Sequence, residues 1–192
     1  MINRIIIVAH CLLNYHSKII DSDVSNKVST IIIPPLLQRG YGLLQLPCPE
    51  FTHGGLLRWG QSRSQYNNRF FISHCSKLAE NIINQLEEYL RCSYVVGPVL
   101  GINGSPSCGI DFSFDGPWGG EIGSTDKIAE KAGALACVRQ PGVFMEVLKS
   151  AAIKREINLQ WIGVDENNPE VGLEEILDGI DSPNGNPKEA NN

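Results

Sequence analysis

Apolar residues along this chain fall into short β-branched runs, separated by longer stretches of helical period. Residues Arg4 to Ala9 are a continuous apolar run ending at His10-Cys11, the pattern of a strand buried on both faces. Val24 to Gln38 has a helical pattern, with Pro34 and Pro35 as a stop signal inside it. Gly40 and Gly42 then lead into a second short strand, Leu43 to Leu46, which ends at Pro47-Cys48-Pro49-Glu50. A loop rich in Gly, Arg and polar residues is expected over Phe51 to Ser64. The clearest helix covers Tyr66 to Leu90, because Phe71, Cys75, Leu78, Ile82, Leu86 and Tyr89 form one stripe of a 3.6-residue period. Tyr94 to Leu100 reads as a third strand broken by Gly-Pro, and Gly101 to Gly109 as the loop after it. The Gly- and aromatic-rich stretch Asp111 to Ser124 suggests a long excursion or hairpin over one end of the sheet. Pro141 to Ile157 predicts a helix with proline in its first turn, followed by a strand at Leu159 to Val164 and a short helix at Val171 to Leu177.

Strands alternating with helices imply an α/β fold: a single-domain three-layer sandwich with a mostly parallel, Rossmann-like sheet. That domain is expected to span residues 1–180, with 181–192 as a flexible polar C-terminal tail. No internal repeat interrupts it. In open α/β sheets, ligands bind outside the carboxyl ends of the strands. Three strand ends carry cysteine: Cys11 after the first strand, Cys48 after the second, and Cys108 in the loop after the third.

Composition narrows the class. The chain has 192 residues, 42% hydrophobic and 19% charged, so it can bury a sizeable core and is too apolar for a disordered segment. A net charge of −5 gives no basic stripe, which argues against nucleic acid as a partner. No apolar run approaches the roughly 20 residues needed to span a bilayer. The opening MINRIIIVAHCLL imitates a signal peptide but lacks a small-x-small cleavage site, and a buried first strand explains it better. A cytoplasmic location is therefore expected, where the six cysteines pack, catalyse or bind metal rather than form a disulfide framework.

Thiolates are soft ligands, suited to zinc, copper(I) or an iron–sulfur cluster. Structural zinc often takes close cysteine pairs, whereas these three candidates stand 37 and then 60 residues apart. Three protein ligands on a four-iron cubane would leave one iron open, a catalytic rather than structural arrangement. Packed thiols are the competing reading, since free cysteine is among the most buried residue types. Cys75 on the helical stripe, together with Cys92 and Cys137, which have no motif around them, fits that reading best.

Three ordered blocks add to this: Cys11-Leu12-Leu13-Asn14; Cys48-Pro49-Glu50 with Gly54-Gly55 following; and Ser105-Pro106-Ser107-Cys108-Gly109. Together, over about residues 4 to 165, they resemble the DUF523 family, which includes desulfidases acting on thiouracil. The resemblance implies a 4Fe–4S cluster held by Cys11, Cys48 and Cys108, with Glu50 and Ser105 as catalytic residues. It further implies a small thiolated substrate such as a heterocycle, whose sulfur leaves as hydrosulfide by non-redox hydrolysis. A sulfur transferase or dehydratase using the same cluster, or a non-catalytic iron–sulfur sensor, are the alternatives. The blocks also depart from the family pattern. Asn14 stands where thiouracil desulfidases typically carry Gly, Ser17 where they carry a second Cys, and Arg58-Trp59-Gly60 where they carry a Pro-Arg stretch. The substrate-facing loop is thus expected to differ.

Several neighbours have two readings. By position alone, Ser107 suits the catalytic role as well as Ser105, and both are ordinary turn residues beside proline. Arg58 and Arg63 suit the binding of an anionic part of a substrate. His10 adjoins Cys11, although strand alternation would point it away. His53 precedes Gly-Gly as a pocket candidate, though loop histidines are more often solvated. Trp118 stacks on a base in one reading and caps the core in the other.

Overall fold

The computed structural model describes residues 3–20, 26–121 and 125–181. Its elements in chain order are β1 (Arg4–Val8), α1 (His10–Leu13), α2 (Lys27–Gln38), β2 (Tyr41–Gln45), α3 (Pro49–Gly54), α4 (Arg63–Tyr66) and α5 (Arg69–Arg91). They continue with β3 (Val95–Ile102), β4 (Ser113–Asp115), α6 (Thr125–Gly133), β5 (Ala136–Val138), α7 (Val143–Lys154), β6 (Trp161–Val164) and α8 (Pro169–Asp181). Four parallel strands form the central sheet in the order β2-β1-β3-β6. Helices α5 and α7 pack together, as do α2 and α8, and the expected α/β sandwich results. The β1 residues Ile5 to Val8 are all buried, as a strand covered on both faces requires. On α5 the stripe Phe71, Cys75, Ile82 and Leu86 is buried in the same core.

The structure corrects several expectations. Pro34 and Pro35 do not stop α2, which runs on to Gln38. Each removes one backbone donor, but Val28, Ile32 and Leu36 are all buried at four-residue spacing, and this packing carries the helix through. Val24 and the tail at 182–192 lie outside the described residues. Strand β2 starts two residues earlier than its apolar pattern suggested, because Tyr41 and Gly42 pair with Arg4 and Ile5. Gly97-Pro98 does not break β3. Ile5 pairs with Val96 and Ile7 with Val99, so two residues of β3 stand opposite Ile6 alone, a bulge that absorbs the proline. The aromatic excursion is not a local hairpin: β4 pairs antiparallel with the distant β5, across α6, in a separate two-stranded sheet. Pro141 lies outside α7, whose N-cap is Gly142. The expected loop from Phe51 is helical at its start, inside α3, and helical again from Arg63. Helix α8 is longer than the short helix expected.

Among the described residues, no helix is long and apolar enough to cross a membrane.

Candidate functional site

The sheet places the three motif cysteines at one edge. Strand β1 has β2 on one side and β3 on the other, so the crevice at its carboxyl end is where a ligand site is expected. Val8 pairs with Gln45, and Cys11 and Cys48 each stand three residues beyond that pair. Pairing continues past the strands through Ala9 N–H to Leu100 O at 2.9 Å and Leu46 N–H to Val8 O at 2.8 Å. Cys11 lies in α1. Cys48 is the N-cap of α3, where its Sγ accepts from Phe51 N–H at 3.4 Å.

Cys108 reaches the same edge by a return of the chain. Its carbonyl accepts from Ile102 N–H at 3.1 Å, at the end of β3. Its own N–H donates to Ser105 Oγ at 3.0 Å. The loop is clamped from the far side by α7, whose first N–H groups have no acceptors within their own helix. Val143 N–H donates to Pro106 O and Phe144 N–H to Ser107 O, both at 3.0 Å. Gly142 makes this approach possible, since a Cβ there would lie 2.3 Å from the Ser107 carbonyl carbon.

The thiols share one electrostatic neighbourhood. Cys108 is buried, and Cys11 and Cys48 are half-buried. Burial pushes the Cys11 thiol up to about 12, with Lys18 opposing and the charges of Glu166, Cys48 and Glu50 adding. Burial also raises Cys48, against its hydrogen bond from Phe51. Cys108 is raised by burial first, then by the charges of Cys48 and Cys11. Among the described residues, no three His, Cys, Asp or Glu side chains are grouped so that they could hold one metal ion.

Beside the thiols sits a polar cluster. Glu50 is in the first turn of α3, two residues from Cys48. Its Oε1 accepts from Ser107 Oγ at 2.6 Å, and its Oε2 faces Arg58 Nε at 3.4 Å. Arg58 returns to the carboxylate because Gly55, at φ 72°, reverses the chain after α3. The rest of its guanidinium donates to Gly55 O at 3.0 Å and Ser17 O at 2.8 Å. The buried Tyr66 phenol lies against Glu50; burial first, then that negative charge, hold its hydroxyl well above its ordinary range.

Of the two serines, it is therefore Ser107 that touches Glu50, and its Oγ also lies 3.5 Å from Cys108 Sγ. Ser105 instead accepts from the backbone of Cys108 and holds the turn. Arg63 is spent on Pro141 O at 2.8 Å and Glu146 at 2.6 Å, and Arg58 on the contacts above, so neither is left for a substrate anion. His53 is exposed and packs edge-on to Phe71, with His74 next to it. The carbonyl of His10 accepts from Gln45 Nε2 at 3.2 Å. Trp118 donates from its indole N–H to Gly60 O at 2.8 Å. Cys75 is core, whereas Cys92 and Cys137 are exposed. Tyr66 and the Lys18–Glu166 ion pair near Cys11 join the site without any motif in the sequence to mark them.

No family model matches the chain. It overlaps loosely with the structure of the 4Fe–4S-dependent thiouracil desulfidase TudS, at 21% identity over 91% of this chain and 99% of that one, with a TM-score of 0.46. It is also similar to the uncharacterized protein MJ0003 of Methanocaldococcus jannaschii, 35% identical over 107 residues, which are 56% of this chain and 68% of that protein. With that identity over that share of the relative, the chain belongs to the family of MJ0003.

Proposed function

We infer that this chain is an iron–sulfur-dependent desulfidase, which replaces the sulfur of a small thiocarbonyl compound such as a thiolated heterocycle with oxygen from water. The observation that carries the reading is the 2.6 Å hydrogen bond from Ser107 to Glu50, made beside the Cys48 and Cys108 thiols. The donor set suits a cluster. Three thiols are a soft set, and a cubane binds each cysteine through a different iron, so it spans ligands from three separate strand ends. The charges of Cys48 and Cys11 both act on Cys108, which supports reading the three thiols as one donor set. Bound by Cys11, Cys48 and Cys108, a 4Fe–4S cluster would supply an open, Lewis-acidic iron for the substrate's sulfur.

The chain's own residues handle the protons. Glu50, held by Ser107 and Arg58, takes a proton from water as its oxygen bonds to the thiocarbonyl carbon. The electron pair of the breaking C–S bond leaves with sulfur, and Glu50 returns its proton to that sulfur to give hydrosulfide. The second water proton, left on the new hydroxyl, passes to solvent as the carbonyl forms. No net electron transfer is needed. Ser107 aligns the carboxylate and Tyr66 remains a neutral neighbour.

Anaerobic reconstitution tests this. The expected result is four irons with sulfide per chain, lost in Cys11→Ala, Cys48→Ala or Cys108→Ala, and hydrosulfide release from a thiopyrimidine panel. Glu50→Gln should keep the cluster and lose turnover. One zinc per chain, or full turnover in Glu50→Gln, overturns the reading.

A further inference from the structure

A separate cavity of about 220 Å³ opens between the segment after Arg58 and the excursion that carries β4, lined by Trp59, Gln61, Gln65, Trp118 and Lys131 among others. Its volume falls below the roughly 300–1,000 Å³ of drug-sized sites, so it suits one ring system. The two indoles differ in how they are held. Trp118 is pinned through its N–H to Gly60 O, while Trp59 is 70% exposed, a large apolar ring left to water. Gln65 uses its Oε1 on Ser62 N–H, and its Nε2 stands at the cavity wall beside Gly119. Lys131 donates to Gly119 O, and Glu121 in the same lining offsets its charge, so the described lining carries no net positive charge to favour an anion.

The cavity and the Glu50 cluster draw on one stretch of chain. Arg58 and Tyr66 face Glu50, while Trp59, Gly60, Gln61 and Gln65, lying between them in the chain, face the cavity.

We propose that the Trp59–Trp118 cleft binds a planar, uncharged heteroaromatic ring, stacked on Trp59 and met at its edge by the Gln65 amide. Assigning that ring to the molecule on which Glu50 acts rests on the desulfidase reading; ring binding itself does not.

The test uses the full chain and sulfur-free probes, so it is independent of turnover. Uridine and adenosine, with the non-planar dihydrouridine as control, are titrated against tryptophan fluorescence and by calorimetry. Either planar probe should bind and quench, with dihydrouridine binding about tenfold more weakly or worse. Trp59→Ala, at an exposed position, should weaken the planar probe about tenfold, and Trp161→Phe should leave it unchanged. Absence of binding by both planar probes, equal binding of dihydrouridine, or unchanged affinity in Trp59→Ala overturns the proposal. Binding of the planar probes, together with no hydrosulfide release from the thiopyrimidine panel by the reconstituted chain, would leave the cleft standing and remove the desulfidase.

Discussion

Arg58→Met probes the site through the partner of its carboxylate. The side chains of Arg58 and Glu50 are only 5% and 14% exposed, so this pair does not belong with surface ion pairs worth about 0–1 kcal/mol. At 3.4 Å and an effective dielectric of about 20, their attraction is roughly 5 kcal/mol before desolvation is counted. Removing the cation leaves a buried carboxylate with no opposing charge, and it also strips the Ser17 and Gly55 carbonyls of a donor. Breaking buried pairs in this way costs about 3–5 kcal/mol. For a chain of this length that is a fall in Tm of about 6–20 °C. Thermal and urea unfolding of the reduced, metal-free protein measure it. The double variant with Glu50→Gln isolates the charge: it should recover part of the loss, with a coupling of about 1.5 kcal/mol or more. A Tm change under about 2 °C with coupling under about 0.5 kcal/mol would show that water screens the pair.

Ser107→Ala should lower turnover per bound cluster about 100-fold, since it removes the donor to Glu50, whereas Ser105→Ala should lower stability by about 1–3 kcal/mol and leave turnover per cluster within about threefold. Equal turnover losses would contradict this division. Gly142→Ala should destabilise by about 1–3 kcal/mol. Its φ of −66° tolerates any residue, so the obstacle is the Ser107 carbonyl, and a neutral or stabilising result in a melt would refute the packing. Stability of the metal-free, reduced protein should fall as pH rises from about 9 to about 12. Cys11 and Cys75, both pushed from 9.0 to about 12, keep their protons in the native state while the unfolded chain releases them. Each thiol then contributes a loss of up to about 1.4 kcal/mol per pH unit. Tm measured across that range should decline, and less steeply in Cys75→Ala; a flat profile contradicts the burial.

The strands and the long helix were legible because burial on two faces or one leaves a periodic trace in the residues themselves. Arg4–Val8 and Arg69–Arg91 are of this kind. The elements that were not legible are those whose stability comes from elsewhere. Helix α2 survives two prolines on the packing of Val28, Ile32 and Leu36. The three-residue strands β4 and β5 exist only as each other's partners, across a separation no local pattern encodes.

The site divides in the same way. Cys11, Cys48 and Cys108 were readable as strand-end residues because each directly follows a strand or its short loop, and a parallel sheet sends all carboxyl ends to one edge. Sequence left Ser105 and Ser107 equivalent and presented Arg58 and Arg63 as available for an anion. Tertiary structure decided that Ser107 meets Glu50, that both arginines are occupied within the protein, and that Tyr66 shares the Glu50 pocket. Chain position sets which strand end a residue follows. Which hydroxyl or guanidinium reaches a carboxylate depends on how α3, α4 and α7 are docked, and that is fixed by contacts between residues far apart in sequence.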